Sequence, residues 1–490
     1  MRHPHDIDVP LVLDRTSEVA LPRQIAAGLR RAVESGVLRP GDPLPSTRTL
    51  AARLVVSRGT VVAAFDQLHG EGWLLADRGA TRVDPDLARH PVPGPRPTRR
   101  TTGPGPSAEA GAGTGLVDLR PGQPDVSAVV GGDWRAAWRA ASAGVGRRHE
   151  PAGSLRLRTA LAEHLRLARG TLAEPDDLIV TAGVRDGWQL VLTALARRAG
   201  RPLVVAVEDP GYPALRRVPA ILGHEVRPVP VDADGLLVEA LARGATPDLV
   251  LVTPSHQYPL GGAMPVARRL DLLAWAGEHE VLVVEDDYDG ELRFTGEPVP
   301  ALAALDRRAY GHGRHVVTLG SFATVLAPGL GAGHALLPPD LRAELVMLRE
   351  ALGSPVAATV QDALTHYLDA GALRRHTARM RRRYRTRRDL AVSALDGLTG
   401  VRVRPMAGGL HGVVELVDAD AERERTLVAA AAEYGVLVAG MAGYWAGEVA
   451  APGPPSTPPA DLPQHGLVVG LGAERLAEGL DLLREALTGS

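Results

Sequence analysis

A change of composition between residues 85 and 116 limits the possible folds of this chain more than any other feature. The stretch is dominated by Pro, Gly, Thr and Ala, for example in Pro91-Val92-Pro93-Gly94-Pro95. Such a composition cannot bury enough apolar surface to order itself, so we predict a flexible linker. Residues 12–84 space their apolar positions as helices do, whereas residues 117–490 alternate helical and strand patterns. Because 490 residues exceed what one compact core accommodates, we predict separate domains on either side of the linker.

Simple counts exclude several classes of protein. The chain has no Cys, which rules out disulfides, thiolate nucleophiles and zinc–cysteine sites. No apolar run reaches the roughly 18 residues that a membrane span needs, and Asp6 and Asp8 are incompatible with a signal peptide. We therefore expect a cytoplasmic protein without a membrane partner. All 55 basic residues are Arg, so any chemistry that needs a lysine amine is excluded.

Before the linker, the pattern is that of short helices joined by tight turns. A first helix is predicted over Leu21–Ser35, with Ile25 and Leu29 on one face. Ser46 starts a short helix through Leu54, and Ser57 starts a second one that runs to about Gly70. Either serine hydroxyl can accept a hydrogen bond from a free backbone N–H group of its helix. Two such helices form a helix-turn-helix, whose second helix enters the major groove of double-stranded DNA.

A β-hairpin is predicted to complete this domain. Trp73–Leu75 and Thr81–Val83 flank Asp77-Arg78-Gly79-Ala80 as the two strands of a hairpin flank its turn. Residues 12–84 are therefore interpreted as a winged helix-turn-helix. Residues 1–100 contain 15 Arg against 11 Asp and Glu, a mild basic excess that agrees with a DNA partner.

The segment Gly41-Asp42-Pro43-Leu44-Pro45-Ser46-Thr47-Arg48, followed by Ser57-Arg58-Gly59-Thr60-Val61, resembles the GntR family of bacterial regulators. The resemblance implies that DNA is contacted by Arg48, Ser57, Arg58 and Thr60. Arginine suits this role because it binds phosphate or the guanine edge with two parallel hydrogen bonds. The wing departs from the family's Gly-x-Gly-Thr tip, and here Arg78 and Arg82 are the residues predicted to reach the minor groove or the backbone.

After the linker, largely apolar runs alternate with helical segments. The runs are those expected of strands buried on both faces: Leu203–Val207, Leu249–Thr253, Val281–Glu285 and His315–Leu319. Helices are predicted between or before them, including Leu155–Ala168, Trp188–Arg198 and Ala267–Glu278. This alternation predicts an α/β domain with a mostly parallel sheet.

Residues 117–490 resemble fold-type I aminotransferases along essentially their whole length, and the complete chain resembles the MocR subfamily of GntR regulators. The matching segments include Glu208-Asp209-Pro210-Gly211-Tyr212-Pro213, Thr253-Pro254-Ser255-His256-Gln257-Tyr258-Pro259 and Glu285-Asp286-Asp287-Tyr288. The resemblance implies a smaller C-terminal α+β subdomain at about 391–490, a homodimer, and pyridoxal phosphate as the family's cofactor. It places Asp286 at the pyridine nitrogen, Tyr288 near the ring oxygen and Tyr212 beside the ring.

The segment that should carry the cofactor's lysine departs from the family. The family reads roughly G-T-F-S-K-T-L-x-P-G-L-R, whereas this chain has Thr324 at the lysine, Ala323 at the serine and Gly331 at the arginine. Upstream, the glutamines that follow Gly183 in the phosphate loop become Arg185-Asp186, and the tyrosine that reaches the partner subunit becomes Arg148. A hydroxyl cannot form an imine, so covalent anchoring and transamination are excluded. The chain is therefore expected not to be an enzyme.

Two interpretations of the vestigial pocket stay open. It is an inert scaffold, or it binds another small anionic effector, of which a pre-formed adduct of pyridoxal phosphate is a special case. Pyridoxal phosphate itself is expected to bind only non-covalently or as such an adduct. The vestigial pocket comprises Arg148, Gly183, Arg185, Tyr212, His256, Asp286, Tyr288 and Thr324. The competing class is an aminotransferase with an accessory DNA-binding arm, and a third is a DNA-binding protein without an effector. The Arg-rich segment 374–388 is interpreted as a structural helix rather than as a second nucleic-acid site.

Overall fold

The structure is a computed structural model that describes residues 11, 13–15, 17, 19–77, 80–85, 115–144, 148–294, 299–446 and 462–489. The chain divides into two compact units, residues 1–105 and residues 106–490. Residues 86–114 of the predicted linker lie outside the described residues. Among the helices of the described chain, none is long and apolar enough to cross a membrane.

The first unit is a three-helix domain with a two-stranded hairpin. Its elements are α1 (Leu21–Glu34), α2 (Thr47–Leu54), α3 (Arg58–Gly70), β1 (Leu74–Asp77) and β2 (Ala80–Val83). The helix α3 packs against α1 and α2, and the core between them is built from Ile25, Leu29, Leu50, Val61, Phe65 and Leu68. These apolar residues recur at helical spacing, so each helix turns one face inward. The predicted winged helix-turn-helix fold is confirmed.

The hairpin is anchored to the loop before α2. Strands β1 and β2 pair antiparallel, with Leu74 opposite Val83. An isolated bridge joins Pro43 to Arg82, and the Leu44 N–H donates to the carbonyl of Thr81 at 2.8 Å. The wing is therefore fixed to the start of the helix-turn-helix.

The second unit contains eleven helices and fourteen strands within its described residues. The helices are α4 (Gly132–Ala141), α5 (Leu155–Arg169), α6 (Val184–Ala199), α7 (Pro213–Ile221), α8 (Val266–His279), α9 (Leu302–Tyr310), α10 (Pro339–Leu352), α11 (Ala358–Asp369), α12 (Ala372–Leu395), α13 (Ala421–Glu433) and α14 (Leu476–Gly489). The strands are β3 (Val117–Asp118), β4 (Leu178–Thr181), β5 (Val204–Asp209), β6 (Glu225–Asp232), β7 (Gly235–Leu236), β8 (Leu249–Val252), β9 (Leu282–Asp286), β10 (Val316–Ser321), β11 (Gly333–Leu336), β12 (Val401–Val403), β13 (His411–Leu416), β14 (Val436–Leu437), β15 (Ala439–Gly440) and β16 (Gly466–Gly470).

Eight of these strands form one large sheet in the order β4-β11-β10-β9-β8-β5-β6-β7. Strands β11 and β7 run antiparallel to their neighbours, and the other six run in one direction. Helices cover both faces, so successive residues of one strand enter different cores. Val250 and Val252 of β8 pack into one, whereas Leu249 and Leu251 pack into the other. The predicted mostly parallel sheet with two buried faces is confirmed.

A second, four-stranded antiparallel sheet has the order β12-β13-β16-β15. Helices α12, α13 and α14 pack with it around a separate core that includes Tyr384, Ala431 and Leu480. Strand β3 pairs with β14 beside this sheet, and the Val117 N–H donates to the carbonyl of Gly435 at 2.8 Å. The beginning of the second unit therefore packs with its C-terminal part, although the sequence predicts the smaller subdomain only at about 391–490.

The Arg-rich helix α12 is held by contacts within this unit. Arg387 donates to the carbonyls of Leu471 and Ala473 and forms an ion pair with Asp125 at 2.8 Å. Arg385 donates to the Phe294 carbonyl at 2.6 Å. These bonds satisfy backbone carbonyls and a buried carboxylate, which is what a structural arginine helix provides.

Candidate functional site

The first unit presents the N-termini of two helices next to each other. Ser46 caps α2 by accepting the Thr49 N–H at 3.1 Å, and Ser57 caps α3 by accepting the Thr60 N–H at 3.1 Å. The Nε atom of Arg58 lies 3.4 Å from the hydroxyl of Thr47 in the first turn of α2, which joins the two ends. Free N–H groups and the helix dipole make such ends favourable places for phosphate.

The predicted DNA contacts differ in their availability. Arg48, Ser57 and Arg58 are exposed on this surface, whereas Thr60 is half-buried and its hydroxyl lies 2.8 Å from the Ser57 hydroxyl. Arg82 is half-buried and its guanidinium lies 3.4 Å from the Gly41 carbonyl. Arg78 lies outside the described residues. The arginines at the helix N-termini are therefore the most accessible of the predicted DNA-contacting groups described.

Three further exposed residues of α3 were not among the DNA contacts predicted from the sequence. Gly59, Ala63 and Asp66 are exposed and follow one another at helical spacing, so they continue the surface that begins at Arg58. The apolar periodicity of Val61, Phe65 and Leu68 already places them on the opposite side of α3, and this signal was available in the sequence. These three positions face solvent on the same side of α3 as Arg58.

In the second unit, most of the predicted pocket residues follow parallel strands of the large sheet. Because carboxyl ends of parallel strands meet at one edge, the residues after them are gathered there. Gly183 follows β4, Tyr212 follows β5, His256 follows β8, Asp286 ends β9 and Thr324 follows β10. The main-chain neighbours confirm the proximity of three strand ends: Leu319 pairs with Asp286, and a Cβ added to Gly183 would lie 3.7 Å from the Ser321 hydroxyl.

Asp286 is the most unusual group at this edge. It is 3% exposed, and its Oδ1 atom has no hydrogen-bond partner among the described residues. Burial, followed by the charges of Asp287, Asp289 and Glu208, raises its pKa well above the usual value. A buried carboxyl in this state lacks a cationic or hydrogen-donating partner, which a ligand is able to supply.

Glu208, which sequence reasoning missed, is a second buried acid of the same cluster. Its Oε2 atom accepts from the Thr253 hydroxyl at 2.5 Å, and its Oε1 atom is buried without a partner in the described chain. Burial raises the pKa of Glu208 to about 7. The cluster therefore carries less negative charge at neutral pH than its composition suggests.

Tyr288 and His256 form a connected pair. The Tyr288 hydroxyl donates to the His256 carbonyl at 3.0 Å and lies 2.8 Å from the His256 Nδ1 atom. The same Nδ1 atom lies 2.8 Å from the Asp289 carboxylate, which fixes the imidazole ring. Burial and the charge of Asp289 raise the pKa of Tyr288 well above its usual value, so its phenol stays protonated. Tyr288 is therefore a hydrogen donor at this edge.

Thr324 stands where the resemblance places the lysine, and its hydroxyl is already engaged. It donates a short hydrogen bond to the main-chain carbonyl of Tyr288. A threonine hydroxyl has no amine to condense with an aldehyde, and here it has no free proton to offer either. The position connects two strand ends instead of presenting a reactive group.

The N-terminus of α6 lies at the same edge of the large sheet, next to the Ser321 hydroxyl. Gly183, with φ 103°, precedes the helix without a side-chain cap, and Arg185 in the first turn is exposed. The Arg185 guanidinium donates to the Tyr212 hydroxyl at 3.2 Å. Asp186 turns away from the cleft, because it accepts from the Ala182 N–H at 2.9 Å and pairs with Arg349 at 2.6 Å. This helix terminus therefore carries an exposed cation and the positive end of a helix dipole.

Arg148 is exposed and follows residues 145–147, which the structure does not describe. Its neighbours are tied to the second unit by ion pairs of His149 with Asp362 at 3.2 Å and of Glu150 with Arg158 at 2.6 Å. The structure does not bring Arg148 into contact with the residues at the strand ends within this chain.

Beside the cleft, a cavity of about 40 Å³ lies between α5 and strand β10. Its polar lining is a set of ion pairs that sequence reasoning missed: Arg169 with Asp287 at 2.6 Å and His164 with Glu291 at 2.7 Å. His334 also lines it, and burial lowers the pKa of this imidazole to about 4. The cavity is large enough for water and too small for a cofactor. Its ion pairs fix the loop that carries Asp287 and Tyr288.

These residues fit pyridoxal phosphate only in part. The buried oxygen of Asp286, which has no hydrogen-bond partner in the described part of the chain, suits a pyridine nitrogen, and the α6 terminus with Arg185 suits a phosphate. The covalent attachment does not fit, because Thr324 has no amine and the chain contains no lysine. In the described part of the chain, no cluster of three or more His, Asp or Glu residues is arranged to hold a metal ion.

Both units match known families. Residues 21–83 match the family described as bacterial regulatory proteins, gntR family, and residues 122–444 match the family described as aminotransferase class I and II. The second unit is similar to an archaeal alanine:glyoxylate aminotransferase, with a TM-score of 0.67 and 21% identity over 77% of this chain and 92% of that one. It is also similar to the α-aminoadipate aminotransferase LysN of Thermus thermophilus, with a TM-score of 0.65 and 26% identity over 77% of this chain and 93% of that one.

Two relatives match across both units. The HTH-type pyridoxine biosynthesis transcriptional regulator PdxR of Corynebacterium glutamicum is 42% identical over 444 residues, which cover 90% of this chain and 92% of the relative. The probable rhizopine catabolism regulatory protein MocR of Rhizobium meliloti is 34% identical over 397 residues, or 78% of each chain. The similarity therefore extends to the whole two-unit architecture.

Proposed function

Because this chain belongs to the MocR-type transcriptional regulators of the GntR family, we propose that it binds DNA in a sequence-specific manner and that its aminotransferase-like domain is catalytically inactive. One observation carries the DNA-binding part: two serine-capped helix N-termini lie side by side and expose Arg48 and Arg58. Phosphate binds at such termini, and an arginine at the start of the second helix reaches guanine edges in the major groove.

The inactivity of the second domain follows from chemistry. Pyridoxal phosphate, when bound to a lysine amine, supplies an electron sink for reactions at an amino-acid carbon. No residue of this chain provides that amine, and the Thr324 hydroxyl is hydrogen-bonded to the Tyr288 carbonyl. The alternative function, an aminotransferase with an accessory DNA-binding arm, fails on the same point. An absorbance scan after mixing the protein with pyridoxal phosphate should show no imine band, and an imine band would restore the enzyme hypothesis.

A homodimer in the cytoplasm completes the proposal. Two copies related by a twofold axis match a twofold-symmetric or repeated DNA site. In the dimers that the resemblance implies, Arg148 of one copy would approach the cleft of the other and add a cation to it. An anionic effector regulates such a protein only if it binds the DNA-competent and incompetent arrangements with different affinity. A DNA-binding protein with no effector is the remaining alternative.

The test is footprinting of the full-length protein on the DNA upstream of its own gene and the neighbouring genes, followed by titration of the protected fragment. Arg58→Ala should weaken binding about fivefold to 150-fold, since a bidentate guanine contact contributes about 1–3 kcal/mol. Arg53→Ala is the matched control, because Arg53 is exposed at the other end of α2 and loses the same charge. Unchanged protection by the Arg58→Ala protein would show that α3 is not the recognition helix.

A further inference from the structure

We propose that Thr47 is a positioning residue for DNA recognition. Its hydroxyl orients the Arg58 guanidinium, so that the two terminal nitrogens of that group, Nη1 and Nη2, are directed at a guanine. The inference rests on the proposed function and deepens it, because it assigns the base specificity of α3 to a pair of residues on two helices. Thr47 is not among the DNA contacts that the resemblance implies.

The local structure of α2 leaves the Thr47 hydroxyl available for this role. Ser46 caps the helix by accepting the Thr49 N–H, and the hydroxyls of Ser46 and Thr49 lie 2.7 Å apart. Thr47 is the first residue of the helix and takes no part in this cap. Its side chain is half-buried, and branching at Cβ restricts its rotamers, so its hydroxyl has a defined direction. The hydroxyl oxygen accepts from the Nε–H of Arg58 at 3.4 Å.

This bond commits one edge of the Arg58 guanidinium. A guanidinium carries five N–H donors in a planar fork, one on Nε and two on each terminal nitrogen. Donation from Nε to Thr47 leaves the Nη1–Nη2 pair, at the tip of the fork, for a ligand. That pair matches the N7 and O6 acceptors on the major-groove edge of guanine. Arg58 is exposed at the first position of α3, which is the end of a recognition helix that contacts base edges.

Comparison with Arg48 supports a division of roles. Arg48 is exposed in the first turn of α2, and its side chain has no hydrogen bond or ion pair to any residue that the structure describes. A phosphate contact fixes the position of a protein on DNA and carries no sequence information, so it does not require an oriented fork. A base edge presents its acceptors in one plane and at one spacing, and therefore does. We expect Arg48 to contribute affinity for every sequence and Arg58 to contribute the preference for guanine.

The expected size of the effect follows from the exposure of the bond. A long side chain loses rotamer freedom when it docks on a base, and a bond that already restricts the side chain lowers this cost. The bond between Thr47 and Arg58 lies at the surface, where water replaces a lost partner. Its removal should therefore reduce the preference for guanine about threefold to tenfold and should not abolish DNA binding.

The test starts from duplexes that the full-length protein selects out of a random double-stranded DNA library. Selection with the Arg58→Ala protein identifies the guanine that Arg58 reads, and a second probe carries adenine at that position. Thr47→Val removes the acceptor and should reduce the preference for the guanine probe about threefold to tenfold. Thr47→Ala should do the same, whereas Thr47→Ser keeps the hydroxyl and should retain the wild-type preference.

The matched control is Thr49→Val. The Thr49 hydroxyl belongs to the same turn of α2 and contacts Ser46 instead of Arg58, so its removal should change binding of the two probes equally. Thermal unfolding of each variant, measured without DNA, shows whether it is folded.

A double-mutant cycle separates orientation of Arg58 from a general effect on α2. Thr47→Val should weaken binding of the guanine probe in the wild-type background and have no effect in the Arg58→Ala background, where no guanidinium is left to orient. A loss that persists in the Arg58→Ala background, or that is equal on both probes, would overturn the inference. So would an Arg58→Ala protein with unchanged base preferences. These results leave sequence-specific binding in place, whereas a wild-type protein that selects no sequence would refute the proposed function as well.

Discussion

Replacing Val55 by glycine should stabilise the first unit. Val55 links α2 to α3 with φ 51° and ψ 49°, in the left-handed region, and its side chain is 74% exposed. The left-handed conformation costs a residue with a Cβ about 1–2 kcal/mol, and branching at Cβ puts valine at the upper end. Little apolar burial is lost, and the bond from Arg15 to the Val55 carbonyl, at 2.6 Å, does not need the side chain. Glycine makes the unfolded chain more flexible, which costs about 0.5–1 kcal/mol, so the net gain is about 1 kcal/mol.

Hydrogen exchange of the full-length protein, followed by mass spectrometry on peptides from α2 and α3, measures this gain in the stability of the first unit. Core amides that exchange through unfolding of the unit should slow about fivefold, the factor that corresponds to about 1 kcal/mol. The matched control is Val37→Gly, because Val37 is also exposed but its φ lies outside the left-handed region. That change should accelerate exchange. If Val55→Gly accelerates exchange as Val37→Gly does, the conformation of the turn is not the source of strain and the reasoning is wrong.

Two further predictions concern the second unit. His334 is neutral in the folded state because burial lowers its pKa to about 4, so its contribution to stability is complete above pH 6.5 and declines as the pH falls towards 4. Between pH 7 and pH 5 the loss should be about 2 kcal/mol, and denaturant unfolding at these two pH values should show that His334→Gln lacks it. Asp177, fully buried, pairs with Arg307 at 2.6 Å and with Arg342. Asp177→Asn should lower the unfolding free energy at pH 7 by about 3–5 kcal/mol, because a buried guanidinium loses its counter-charge; a loss below about 1 kcal/mol would contradict this.

Local chemistry explains why the first unit was predictable. The helices begin at Ser46 and Ser57 because a hydroxyl there satisfies an N–H of the first turn, and the sequence alone indicates both positions. The strands of the large sheet were equally predictable, since runs such as Leu249–Val252 are apolar on both faces. Strand order was not predictable. The antiparallel β11 lies between β4 and β10, and that pairing depends on contacts distant in sequence rather than on any local pattern.

In the candidate site, too, the identity of the residues was predictable from the sequence, whereas their contacts were not. The resemblance identified Asp286 and Thr324, but whether their polar atoms are satisfied depends on the folded surroundings. Nothing in the local sequence indicates that the Thr324 hydroxyl bonds to the Tyr288 carbonyl, or that one Asp286 oxygen has no partner among the residues that the structure describes. Glu208 lies within a motif that resembles the family, but its importance as an acid arises from its burial beside Asp286, which the sequence does not indicate. Burial and electrostatic coupling are properties of the assembled sheet edge.

The absence of the lysine changes how the occupancy of this site would depend on ligand concentration. A covalently attached cofactor stays in its site, so its occupancy responds little to the concentration of free ligand. A ligand bound without a covalent bond exchanges with solvent, and its occupancy follows concentration around the dissociation constant. Occupancy becomes regulation only when the ligand prefers one arrangement of the DNA-binding units, and the same coupling then requires DNA to change ligand affinity by an equal factor. In the proposed function, Thr324 at the lysine position removes covalent anchoring, so an effector of this unit would have to bind reversibly.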